Sequence, residues 1–196
     1  TINLPITKEI VNNNKLKIYK FNKDIPFIMS LSKNLSHSLA SGRIVFNLDI
    51  DNFIGDSFRQ LTQVSRRQYL HAGWDTTAGG TKGRIGVYNT IFRQIGGYDL
   101  DLDVACYDDL DLVQRLEMLN LSRISETNIQ YPIQNTNEDT LKYSETDKDY
   151  REVALNSKTI SQEKLSKGII KANPDGMLVY KGEDISKYLT QVVVDD

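Results

Sequence analysis

The chain has 196 residues, 39% of them hydrophobic and 26% charged, and a formal net charge of −2. This composition is that of a globular protein, so a disordered or collagen-like chain is excluded. The balanced charge offers no basic field to nucleic acid, and no apolar run reaches the ~20 residues of a transmembrane helix. The single cysteine, Cys106, excludes an internal disulfide and a cysteine-based zinc site. We therefore predict a cytoplasmic protein with no nucleic-acid partner and no membrane span.

The first readable unit covers residues 16–51 and has the pattern strand, helix, strand. Residues 16–21 alternate and are rich in strand formers. Pro26 suits the first turn of a helix, and apolar residues follow it at helical spacing. Residues 43–48 contain three apolar residues in a row, which is typical of a buried strand. The spacing predicts a right-handed βαβ unit with parallel strands.

The rest of the chain predicts shorter elements. In chain order they are a helical start within 56–70, a loop over 71–83, a strand over 84–88, a helix over 89–95, a helix over 109–120, and two helices near 147–156 and 159–167. Thr159 and Gln162 have the spacing of a capping box for the last of these helices.

A first acidic pair follows the buried strand. Asp49 and Asp51 lie two residues apart, so an extended chain would place both carboxylates on one side. In open α/β sheets, ligands bind outside the carboxyl ends of strands. Carboxylate oxygens at that place suit Mg²⁺ or Mn²⁺, which add phosphate oxygens of a substrate. The alternative is a plain turn, because Asp and Asn are common turn residues.

A second acidic group is denser. Six aspartates occupy thirteen residues: Asp99, Asp101, Asp103, Asp108, Asp109 and Asp111. Clustered carboxylates raise one another's pKa unless a cation or donor intervenes, so function is one reason to keep them. The structural alternative is a set of helix-capping and solvated charges, since carboxylates are favourable at a helix N-terminus.

In combination, these stretches resemble the nucleotide-sugar glycosyltransferases of the GT-A fold, of the family 2-like or galactosyltransferase-like type. The resemblance covers roughly residues 16–119. Four stretches match in order: Lys33-Asn34-Leu35 through Leu39-Ala40-Ser41-Gly42, Phe46-Asn47-Leu48-Asp49-Ile50-Asp51, Phe92-Arg93-Gln94-Ile95-Gly96-Gly97-Tyr98-Asp99, and Tyr107-Asp108-Asp109-Leu110-Asp111-Leu112 with Gln114-Arg115-Leu116.

The resemblance implies roles for the acidic residues. Asp51 is implied as the direct ligand of Mn²⁺ or Mg²⁺, and Asp49 as a contact to the ribose or, through water, to the metal. Asp109 is implied as the general base that deprotonates an acceptor hydroxyl, and Asp108 as the group that holds this hydroxyl. A carboxylate within hydrogen-bond reach is the group that such a poor nucleophile needs.

Four further residues are expected on the donor side. Lys33 and Asn34 could reach a phosphate or a base, although solvated helix residues are the alternative. Gly79 and Gly80 would let the backbone approach sugars or phosphates closely.

The resemblance also implies an architecture and an activity. The expected fold is one Rossmann-like GT-A domain over 1–196, with a mixed, mainly parallel sheet flanked by helices. Its expected parts are a donor and metal half (1–55), an acceptor half (56–125) and a helical C-terminal extension (126–196). The implied activity is metal-dependent hexosyl transfer from a UDP-sugar or related donor to a carbohydrate or other hydroxyl acceptor, with inversion preferred.

Two departures from the family qualify this expectation. Only one strand and helix precede Asp49, so roughly one βα unit is expected elsewhere, in a missing N-terminal segment or in other domains of the same protein. The family's histidine after the acidic pair is absent, and Asn137 or Glu138 is the candidate to replace it.

Two other functions stay open. A non-enzymatic Ca²⁺- or carbohydrate-binding module is suggested by the spacing of Asp99, Asp101 and Asp103, although Val104 stands where an EF-hand loop needs glycine. An inactive glycosyltransferase-like domain is the third reading.

Overall fold

The computed structural model describes residues 17–49, 52–72, 81–102, 104–127, 141 and 146–192. In this part of the chain, five helices accompany a mixed sheet. The helices are α1 (Met29–Ser38), α2 (Ser57–Gln63), α3 (Asn89–Gln94), α4 (Asp108–Met118) and α5 (Tyr150–Ser166). The expected α/β class with a mixed sheet is therefore confirmed.

The main sheet has four strands in the order β2-β4-β3-β5. These strands are β2 (Ile44–Phe46), β3 (Gln68–His71), β4 (Ile85–Tyr88) and β5 (Ser122–Ser125). β4 runs antiparallel to both β2 and β3, and only β3 and β5 pair in parallel. The expectation of a mainly parallel sheet is wrong. A strand covered on both faces has a continuous apolar sequence whatever its direction, so the pattern could not report direction.

The predicted βαβ unit is also wrong. β1 (Tyr19–Phe21) pairs antiparallel with β8 (Leu189–Gln191), outside the main sheet. Phe21 packs against a second apolar cluster built on Ile28, Leu31 and Ile185. The partner of β1 lies about 170 residues away in the sequence, and no local pattern could announce it.

The chain after α5 forms short elements. A hairpin of β6 (Val179–Tyr180) and β7 (Glu183–Asp184) leads into a 3₁₀ turn, Ile185–Tyr188, and then into β8. Among the described residues that follow α5, the chain forms short strands and a 3₁₀ turn and no further α-helix.

One long helix replaces the two helices expected near 147–156 and 159–167. α5 begins after Asp149, whose carboxylate accepts a hydrogen bond from the backbone N–H of Glu152 at 2.9 Å. Thr159 lies inside this helix and donates to the carbonyl of Leu155, so it is not a cap. The buried face of this single helix carries serines. One of them, Ser161, donates to the carboxylate of Asp111 at 2.7 Å, which ties this part of the helix to α4.

β3 was missed by the sequence reasoning, which placed 56–70 in a segment that starts as a helix. α2 ends at Gln63, and Tyr69 and Leu70 of β3 are completely buried in the sheet. β3 pairs with β4 and β5 and forms the centre of the main core with α3 and α4. This core fixes the start of α4 beside the end of β2, where the acidic residues lie.

Candidate active site

The acidic pair Asp108 and Asp109 opens α4 on an unusual turn. Cys106 and Tyr107 both have left-handed backbone conformations, with φ of 71° and 66°. Such conformations cost about 1–3 kcal/mol each in residues other than glycine and cluster at functional sites. The carbonyl of Tyr107 accepts the N–H of Asp111 at 2.9 Å, so the helix starts immediately after the strained turn. Both carboxylates therefore project from the first helical turn, where the helix dipole favours negative charge.

Lys33 of α1 joins this pair. Its ammonium donates to Asp108 Oδ2 and to Asp109 Oδ1, both at 2.7 Å. Burial acts to lower the pKa of Lys33, but Asp108 and Asp109 outweigh it and raise the pKa well above the usual value. Burial, followed by the charge of Asp109, raises the pKa of Asp108. Lys33 is therefore a fixed cation that lets two carboxylates lie side by side.

Asp109 is the more accessible of the two acids. Its side chain is 22% exposed, against 3% for Asp108. One of its oxygens is held by Lys33, and the other, Oδ2, faces Gly83. Asp109 is thus oriented on one side and open on the other, which is the geometry that a general base requires.

Asp49 reaches the same place from the end of β2. The side-chain amide of Asn47 donates to Asp49 Oδ1 at 3.1 Å and to the carbonyl of Gly83 at 3.0 Å. The N–H of Asn52 donates to the carbonyl of Asp49 at 2.9 Å. The carboxylate of Asp49 is therefore held over the backbone of Gly83.

Gly83 is the point where the two acidic stretches meet. A Cβ atom on Gly83 would lie 3.0 Å from Asp49 Oδ2 and 3.2 Å from Asp109 Oδ2. Both contacts are tighter than van der Waals distance, so the absence of a side chain is what lets the two carboxylates converge. Sequence reasoning missed Gly83, although a glycine directly before a buried strand is a signal of close backbone approach.

Of the other predicted residues, Asn34 does not join the acids. Its completely buried amide donates to the carbonyl of Tyr98 and accepts from the N–H of Tyr98, both at 2.8 Å. Asn34 therefore braces the double-glycine segment. Asp51, Gly79 and Gly80, together with Asn137 and Glu138, lie outside the described residues.

Tyr98 brings one more polar group to this region. Its side chain is buried and packs under the ammonium of Lys33, 5.0 Å from the ring centre. Its hydroxyl has no hydrogen-bond partner in the described part of the chain. Burial raises the pKa of Tyr98 well above the usual value, so the hydroxyl keeps its proton and can donate it in a hydrogen bond.

The remaining aspartates have structural partners. Asp99 and Asp101 share the ammonium of Lys164, at 2.8 and 2.6 Å. Asp111 accepts from Arg115 Nε at 2.8 Å. Asp103 lies outside the described residues. The described aspartates of the acidic run thus form two groups. One group pairs with Lys164 or Arg115, and the other, at the start of α4, pairs with Lys33.

Asp49, Asp108 and Asp109 lie apart from a large cavity of the described fold. That cavity, of about 740 Å³, lies between α5 and residues 172–181 and is lined by Leu102, Val104, Asn156 and Thr159, among others. Neither Lys33 nor the acids that it accompanies line it. The cavity volume alone therefore would not have located the acids.

A divalent cation is compatible with the donor set but not defined by it. Among the described residues, no group of three or more His, Cys, Asp or Glu side chains could hold a metal ion. Asp49 supplies one carboxylate, and hard cations such as Mg²⁺ keep several waters and take few protein ligands. An ion at Asp49 would therefore need further ligands from waters or a substrate.

Comparison with protein families, curated proteins and solved structures found no match for this chain. In the described residues, no helix has both the length and the apolar character needed to cross a bilayer. The feature of the molecule that bears on function is the geometry of Asp49, Asp109, Lys33 and Gly83.

Proposed function

We propose that this chain is a glycosyltransferase domain that uses a nucleotide-diphosphate sugar, UDP-sugar favoured, and a divalent cation. The observation that carries the proposal is the meeting of Asp49 and Asp109 over Gly83, since these residues lie 60 positions apart in the sequence. The carboxylates come from separate elements and both lie against Gly83. In the proposal, Asp49 belongs to the donor side and Asp109 to the acceptor side of one site.

In this proposal, Asp109 takes the proton of an acceptor hydroxyl as its oxygen bonds to the anomeric carbon of the donor sugar. The bond between that carbon and the diphosphate oxygen breaks, and the nucleoside diphosphate leaves with the electron pair. Lys33 compensates the charge of Asp108 and Asp109 and fixes the orientation of the base. Asp49 belongs to the donor side, where Mn²⁺ or Mg²⁺, when bound, would stabilise the charge of the leaving diphosphate.

The test is isothermal titration of the chain with UDP, with and without Mn²⁺. We expect UDP to bind only when Mn²⁺ is present. Asp51→Ala should lose this binding, because the resemblance makes Asp51 the direct metal ligand, while Asp109→Asn should keep it. UDP binding that ignores Mn²⁺ and both substitutions would contradict the assignment.

The same titrations separate the alternatives. Ca²⁺ binding without any dependence on nucleotide would favour a calcium module, and a folded chain that binds neither ligand would favour an inactive domain. The ammonium of Lys164 already lies between Asp99 and Asp101, where the calcium alternative needs open ligands. These contacts argue against the calcium module.

A further inference from the structure

Arg84 is a completely buried arginine directly after Gly83. Its Nε lies 3.0 Å from both carboxylate oxygens of Glu126, and its Nη2 lies 2.6 Å from Glu126 Oε1. Both side chains of this ion pair are fully shielded from solvent. Burying two charges is costly unless further hydrogen bonds satisfy them, so the other contacts of Arg84 decide what the pair does.

Those contacts go to residues 52–57, which follow Asp49 in the sequence. Nη1 donates to the carbonyl of Phe53 at 2.8 Å and lies 3.4 Å from the side-chain oxygen of Asn52. Nη2 donates to the hydroxyl of Ser57 at 2.7 Å and lies 3.3 Å from the carbonyl of Ile54. The planar, five-donor fork of arginine serves a carboxylate and two carbonyls in fixed directions, whereas a lysine ammonium is a point charge with three donors.

Asn52 connects this network to the acid itself. Its N–H donates to the carbonyl of Asp49, while its side-chain oxygen lies 3.4 Å from Arg84 Nη1. The carbonyl of Gly83 accepts a hydrogen bond from the side-chain amide of Asn47, which also donates to the Asp49 carboxylate. Gly83 and Arg84 thus contact the two asparagines that hydrogen-bond to Asp49.

We infer that Arg84, oriented by Glu126, is a positioning residue that acts through Asn52 to hold Asp49 against Asp109. The inference rests on the proposed function, because it assigns the arginine to the donor side of that site. Glu126 directly follows β5, which is one outer strand of the described sheet. Through Arg84 it reaches the residues that follow β2, which is the other outer strand.

The primary variant is Arg84→Lys, which keeps the charge beside Glu126 but loses the fork. The matched control is Arg115→Lys, a change at another buried arginine that pairs with Asp111 on the acceptor side. Glu126→Gln is a milder second variant, because Arg84 keeps its contacts with the loop while its counter-charge is lost.

The first measurement is hydrogen exchange of backbone amides in the folded proteins. We expect the amides of Asn52 and Ser57 to exchange at least about tenfold faster in Arg84→Lys, with a smaller change in Glu126→Gln and none in Arg115→Lys. Unchanged protection in a folded Arg84→Lys protein would overturn the inference. If Arg84→Lys does not fold, the same comparison of Glu126→Gln with wild type decides.

The second measurement is the affinity for UDP with Mn²⁺. A misplacement of about 1 Å can cost on the order of 100-fold, so we expect the Kd of Arg84→Lys to rise about 10- to 100-fold. In transfer assays, KM for the donor should rise more than kcat falls. An unchanged Kd in the folded variant would overturn the inference.

The two proposals fail in different ways. Failure of the wild-type chain to bind UDP with Mn²⁺ would refute the proposed function. Hydrogen exchange would still show whether Arg84 holds Asn52 in place beside Asp49. Wild-type binding with an insensitive Arg84→Lys variant would refute the positioning role alone.

Discussion

The two acids of the candidate site are held in different ways. Asp109 stands on the first turn of a regular helix, so most of its position follows from local backbone geometry after Tyr107. Asp49 follows an outer strand of the described sheet, and its position depends on Asn47, Gly83 and Arg84. The comparison teaches that one half of the site is fixed by short-range structure and the other by contacts between distant residues.

Asp109→Asn should have the largest effect on this comparison. A positioned general base contributes about 10²- to 10⁴-fold to a rate, and an amide cannot take the proton. Transfer should therefore fall by that factor, while binding of UDP with Mn²⁺ stays near wild type. Initial rates with a panel of UDP-sugars and titration with UDP measure the two properties.

Asp101→Asn is the control for this substitution, because its side chain is 71% exposed and contacts Lys164 away from the candidate site. Wild-type turnover in Asp109→Asn would show that the base has been misassigned.

Arg115→Met tests how α4 itself is held. Arg115 Nε bonds Asp111 at 2.8 Å and Nη1 bonds the carbonyl of Ile95 at 3.0 Å, all inside the core. Removing one partner of a buried pair leaves an uncompensated charge, so we expect a loss of about 3–5 kcal/mol in the free energy of unfolding. Urea denaturation followed by circular dichroism measures it.

Lys167→Met provides the matched comparison, since Lys167 and Glu163 form an exposed pair at the same i,i+4 spacing. The exposed variant should change stability far less than Arg115→Met does, because solvent screens the pair. Equal losses in the two variants would contradict a special role of burial at α4.

His37 tests the helix that carries Lys33. Its Nδ1 lies 2.7 Å from the carbonyl of Lys33, so this nitrogen carries the proton, and the ring stacks on Phe92. Burial lowers the pKa of His37 from 6.5 to about 4. Between these values the unfolded chain binds more protons than the folded one, so stability is lost as pH falls from 6.5 towards 4.

The loss assigned to His37 amounts to about 3 kcal/mol over this range. His37→Gln lacks this titration, so the difference in unfolding free energy between wild type and variant should shrink by that amount from pH 7 to pH 4. Urea denaturation at successive pH values measures it. A difference independent of pH would refute the neutral, buried histidine.

Gly83→Ala should have the smallest effect and the most specific one. The new methyl group meets Asp49 Oδ2, Asp109 Oδ2 and, at 3.5 Å, the amide of Asn47, so it pushes the acids apart. We expect a loss of about tenfold in affinity for UDP with Mn²⁺, or about 1.4 kcal/mol, with little change in stability. Titration calorimetry and thermal unfolding check both parts.

Gly42→Ala is the control for Gly83→Ala, because its nearest new contact is the carbonyl of Ile44 at 3.3 Å, away from the acids. If the two variants bound UDP with Mn²⁺ equally well, the convergence of Asp49 and Asp109 over Gly83 would not contribute to the affinity for UDP.

The sequence predicted the parts of the fold that depend on neighbours in the chain. The strand at Ile44–Phe46 and the acidic start of α4 follow from an apolar run and from carboxylates at a helix N-terminus. The sequence could not predict that β1 pairs with β8 or that β4 lies between β2 and β3, because such pairings depend on contacts far apart in the sequence.

The same division holds for the site. Asp49, Asp108, Asp109 and Lys33 were singled out from local motifs, and the fold brings them together. Their connections were not predicted, because the ion pairs of Lys33 span 75 and 76 positions in the sequence. Gly83 was missed because it lets the carboxylates converge through the absence of a side chain. Asn34 has the residue type of a ligand contact, but its amide is used by the backbone of Tyr98.

The pairing of β1 with β8 has a consequence for Lys33. β1 leads directly into α1, and Ile185, just before β8, packs on Ile28 and Leu31 of that helix region. A chain shortened to end before Ile185 would lose both the partner strand and the apolar anchor, and the amine of Lys33 would lose its fixed support. The segment that begins at Ile185 is therefore needed to keep Lys33 in place between Asp108 and Asp109.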